Sequence, residues 1–104
     1  MEEQKIQEMQ MLEQGLQNLL MQKQSFQMEL SEADSALSAL ESSGDEVFKI
    51  IGQLMIKSEK SQMKEELESK KKMIELRLKT MENQESSLTE QLEKLREEIM
   101  KTAK

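Results

Sequence analysis

Apolar residues recur every third and fourth position over most of this chain. Met9, Leu12, Leu16, Leu19, Phe26, Leu30, Ala33, Leu37 and Leu40 keep that beat, and Lys23 alone fills the position they skip. A second run keeps it as well: Leu67, Ile74, Leu78, Met81, Leu88, Leu92, Leu95 and Ile99, with Lys71 and Glu85 as polar interruptions. A repeat of 3.5 residues holds one seam toward a partner helix, which is the condition for two helices to coil around each other. The spacing therefore predicts two long helices, over about residues 3–43 and 59–102, folded back on each other as an antiparallel coiled coil. The fold class is all-α dominated.

Between the helices lies VFKIIGQLMIK, Val47 to Lys57, the one strand-like stretch. Its two β-branched, apolar arms flank Gly52-Gln53, a two-residue turn with Gly first, so a β-hairpin is predicted over about 47–57. Both alternating sets are apolar: Val47 and Ile51 on one side, Phe48 and Ile50 on the other, with Leu54, Met55 and Ile56 on the return arm. A half-buried strand would show one polar face. A lone hairpin is marginal in water and leaves open edges. Pairing with strands of other chains would cover both faces, whereas folding down as a cap over its own coiled coil would cover only one.

Boundary signals fit this layout. Ser42-Ser43-Gly44-Asp45 places Gly44 just past the last seam residue, where a left-handed helix cap is expected. The second helix should open near Ser58 or Ser61 and ends basic, at Lys101 and Lys104. With the turn centred on Gly52, Leu37 meets Leu67, Leu30 meets Ile74 and Phe26 meets Leu78. Lys23 then lies one layer from Glu85, so the polar breaks of the two seams fall together. The same register sets Glu29 against Arg77, and sets Asp34 against Glu68 with like charge. Gly15, inside the first helix, costs about 1 kcal/mol relative to Ala.

Composition narrows the function. The 104 residues carry a net charge of −6, with 36% hydrophobic, 35% charged and 2% aromatic side chains. An acidic chain (pI near 4.8) lacks the basic face that nucleic acid requires, and Lys70–Lys72 sits among glutamates as a solvated helix face. No apolar run approaches the ~20 residues of a membrane span. The start MEEQKIQEMQ does not have the form of a signal peptide. There is no Cys, in keeping with a cytoplasmic protein. Without His or Cys, and with no base placed to activate a Ser, neither nucleophilic catalysis nor a thiolate metal site is expected. The expectation is no enzyme, no metal and no cofactor.

Ten methionines stand out instead. Only Met9 and Met81 fall on the seams; Met11, Met21, Met28, Met73 and Met100 project elsewhere, as do Ile6 and Leu20. Methionine is flexible and suits surfaces that bind many partners. In mid-helix its presence is better explained by composition or packing. Near the termini Met1, Ile6, Met9, Met11, Leu12, Leu95, Ile99 and Met100 gather at one free end, and a fraying end offers adaptable apolar surface.

Helix, a single V-F-K-I-I-G-Q-L-M-I-K hairpin and returning helix resemble the β subunits of the prefoldin family. Gln22-Lys23-Gln24, Gly44-Asp45-Glu46, Gly52 with Ile56-Lys57, and Asn83-Gln84-Glu85 add to the resemblance, which covers nearly the whole chain. It implies one prefoldin-like domain, 1–104, of archaeal type. It further implies a hexamer of two α-type and four β subunits, whose hairpins join into intersubunit β-barrels. The tips of the coiled coils would hold unfolded polypeptides without ATP and pass them to a group II chaperonin. A structural scaffold or tether without substrate binding is the alternative on the same fold.

Overall fold

The computed structural model describes residues 2–102. They form α1 (Glu2–Ser42), β1 (Val47–Ile51), β2 (Leu54–Ser58) and α2 (Lys60–Thr102). The described residues divide into two compact units, one within Met1–Ser25 and Leu78–Lys104 and the other Phe26–Arg77.

In the first unit the described parts of α1 and α2 run antiparallel. Residues further along α1 meet residues earlier in α2: Lys5 pairs with Glu98 at 3.7 Å, Glu13 with Arg96 at 3.4 Å and Lys23 with Glu85 at 3.1 Å. Leu19, Leu78, Leu92 and Leu95 are buried, and Met9, Leu12, Leu16, Met81, Leu88 and Ile99 are half-buried. Lys23 takes a seam position. Its ammonium donates to Glu85 Oε2 and lies 3.9 Å from Glu82, so the two polar breaks meet as the register requires.

In the second unit the seam residues Ala33, Leu40 and Ile74 are buried, with Phe26, Leu30, Leu37 and Leu67 half-buried. The Arg77 guanidinium lies over the Phe26 ring, 5.7 Å from its centroid, a cation–π contact rather than a pairing with Glu29. Nor does Asp34 face an unmatched like charge, because Lys71 reaches it at 2.8 Å. The hydrogen bond and the charge of Asp34 hold the exposed Lys71 ammonium above its ordinary pKa of 10.5.

The end of α1 differs from expectation. Gly44 does not adopt a positive φ. The helix is closed instead by Ser43, whose hydroxyl donates to the Leu40 carbonyl at 2.7 Å, and by Lys60, whose ammonium donates to the Ser43 carbonyl at 2.9 Å. With side chains satisfying the terminal carbonyls, the left-handed turn is unnecessary. The second helix starts between the two serines proposed for it: the Glu59 carbonyl accepts its first bond, from the Met63 amide at 3.0 Å.

Only Gly52 has positive φ, 61°, among the described residues. A positive φ at the first turn residue and none at the second is the II′ pattern, whose twist matches that of the flanking strands. It sets the register Ile51↔Leu54, Ile50↔Met55, Lys49↔Ile56, Phe48↔Lys57 and Val47↔Ser58.

Candidate functional site

Once the seam is filled, apolar side chains are left over on the hairpin, near the termini and singly along the helices, and the hairpin holds the largest group. Side chains alternate across a strand, so the register puts Val47, Lys49 and Ile51 on one face with Leu54, Ile56 and Ser58. Phe48, Ile50, Met55 and Lys57 share the other. Val47 alone is buried, at 7% exposure. Lys49, beside it on that face, donates to Glu66 of α2 at 2.9 Å. The hairpin is thus tied to the helices at its base and by one exposed ion pair, a type of contact worth about 0–1 kcal/mol.

Phe48, Ile50, Ile51, Leu54, Met55 and Ile56 stay between 44% and 70% exposed. Covering such a side chain fully is worth about 1.5–3 kcal/mol. The sheet has only two strands, so each strand also presents an unpaired backbone edge. Apolar faces and open edges together are the chemistry of a surface that adds further strands. The hairpin does not fold down as a cap.

The terminal group is more mixed. Met11 and Met100 are 73% and 72% exposed, and Ile6 is exposed as well. Met9, Leu12 and Ile99 are half-buried, and Leu95 is buried at 8%. Met1 lies outside the described residues. The seam therefore holds four of the eight residues named for the tip, and three project into solvent. Met21, Met28 and Met73 are exposed along the helices, as read from the sequence. Leu76 is exposed too and was not singled out. Its place opposite the seam, midway between Ile74 and Leu78 on α2, was the signal that would have found it.

No buried polar or charged side chain is present among the described residues. No three of their carboxylates gather as metal ligands would, and none of their helices is long and apolar enough to cross a membrane. The chemistry on offer is apolar contact and strand pairing.

A family model described as prefoldin subunit matches residues 3–104. Over 60 residues, 56% of this chain, the sequence is 40% identical to prefoldin subunit beta of Thermococcus onnurineus (strain NA1), covering 52% of that protein. It is 42% identical over 60 residues to prefoldin subunit beta of Thermococcus kodakarensis (strain ATCC BAA-918 / JCM 12380 / KOD1), covering 51% of it. In these matches the chain spans about half the length of the curated relatives. The fold is similar to the crystal structure of the prefoldin beta subunit from Thermococcus strain KS-1, with a TM-score of 0.89 and 35% identity over 97% of this chain and 90% of that one.

Proposed function

The chain belongs to the prefoldin subunit family, and from that premise we propose that it is a non-enzymatic, ATP-independent chaperone subunit of the cytoplasm. In this reading Val47 to Ile56 join strands of an α-type partner and of further β copies in an intersubunit β-barrel, in a hexamer of two α and four β subunits. Its terminal segments capture unfolded or nascent polypeptides and deliver them to a group II chaperonin. The observation that carries the reading is the hairpin, with six large apolar side chains uncovered by their own chain. Exposed Met11, Met100 and Ile6 support the second part, because flexible thioether and aliphatic groups tolerate many apolar sequences. Contacts that are weak on one arm add up across several arms, since one engagement raises the effective concentration for the next.

A scaffold without substrate binding is favoured by one observation: Leu95 is buried, and Met9, Leu12 and Ile99 are partly so, as in a plain coiled-coil end. Deleting Met1 to Gln10 together with Glu97 to Lys104 separates the two readings. The truncated chain should assemble with an α-type subunit at unchanged stoichiometry, yet lose most of its ability to suppress light scattering by a denatured test protein. Full protection by the truncated complex would put the scaffold reading ahead.

A further inference from the structure

Gly15 has no structural reason to be glycine. It lies inside α1, its φ is not positive, and a Cβ built on it meets nothing within 4 Å. Helix interiors favour alanine over glycine, so the fold would be more stable with a side chain there. Gly15 instead lines an open notch of about 330 Å³ between the helices of the first unit, together with Leu19, Gln84, Ser87 and Leu88. None of these five is charged, in a chain where 35% of residues are. Four other depressions on the surface are each lined by at least two charged side chains. An uncharged notch with two leucines in its wall and two neutral polar groups suits neither an ion nor a polar metabolite. It suits an apolar group, with Gln84 and Ser87 able to bond the amides that flank it.

We infer that the Gly15 notch is a subsite for one large apolar side chain of an unfolded polypeptide. The inference rests on the reading of the chain as a subunit that captures such polypeptides, and it adds a defined place to what is otherwise a diffuse apolar surface. The notch belongs to the same compact unit as Ile6, Met9, Met11 and Leu12. A chain segment bound there would be fixed at one point by an inserted side chain while its neighbours stay loosely held.

Gly15→Ala and Gly15→Gln test it, because both favour the helix while the second also fills the notch. The probe is a short fluorescent peptide with a central Leu-Phe pair, titrated into the full-length chain assembled with an α-type subunit. Both variants should melt higher than the parent and assemble to the same mass. Gly15→Gln should bind the peptide roughly tenfold more weakly, the loss expected when one side chain goes partly unburied, with Gly15→Ala in between. Equal binding by the parent and Gly15→Gln would overturn the notch while leaving the capture function standing. A changed assembly mass in Gly15→Gln would also overturn it, by assigning the glycine to contact between subunits. If the parent complex binds neither the peptide nor a denatured protein, the capture function itself fails, and the notch with it.

Discussion

The seam and the hairpin are both rich in aliphatic side chains, yet the chain treats them oppositely. Along the seam Leu19, Ala33, Leu40, Ile74, Leu78, Leu92 and Leu95 are buried by the chain's own two helices. In the hairpin only Val47 is. Period decides the difference. A 3.5-residue repeat puts every apolar group on one side of a helix, where one partner helix can cover it. A strand with apolar groups on both alternating faces needs cover on two sides and at two edges, and the described residues do not supply it. An element more apolar than its own fold can cover is what the proposed assembly with other subunits would satisfy.

The comparison breaks first where charge is forced onto the hairpin. Ile50→Lys with Ile56→Lys places one lysine on each face, and should weaken assembly with an α-type subunit at least a thousandfold, from two lost burials of about 1.5–3 kcal/mol each plus desolvation of the new charges. Native mass measurement should show the complex gone, while circular dichroism of the chain alone is unchanged. A seam substitution should do the reverse. Ile74→Ala is expected to cost about 2–5 kcal/mol of helix-pair stability, read as a lower denaturation midpoint of the chain alone, with the hairpin's own chemistry untouched. The smallest effect belongs to the polar layer. Replacing Lys23 and Glu85 together by Leu should leave thermal stability equal or raise it by about 1–4 kcal/mol, since an apolar pair avoids desolvating two charges. Lys23→Leu alone should be destabilising, because Glu85 loses its nearest cation.

Much of this was legible in the residues. The seam positions, the polar layer at Lys23 and Glu85, the hairpin turn at Gly52 and the outward methionines all follow from period and turn chemistry. What could not be read were features fixed by side chains distant in sequence. Gly44 looks like a helix cap because its neighbours are right, but Lys60, brought back by the hairpin, bonds the Ser43 carbonyl, and Ser43 bonds that of Leu40. Leu95 was named for both the seam and the tip, and a heptad alone does not say where a coiled coil stops being closed. The notch at Gly15 needed the opposite helix, since Gln84, Ser87 and Leu88 are remote in the chain.

Amide hydrogen exchange tests the central claim most directly, measured on the chain alone in dilute solution and again after mixing with an α-type subunit. Seam amides around Leu19, Ile74 and Leu92 should be protected in both states. Those of Phe48, Ile50 and Met55 should exchange fast in the chain alone and slow by orders of magnitude in the complex, as their edges and faces are covered. Hairpin amides that are equally slow in both states, or that stay fast in a complex of full mass, would contradict the account.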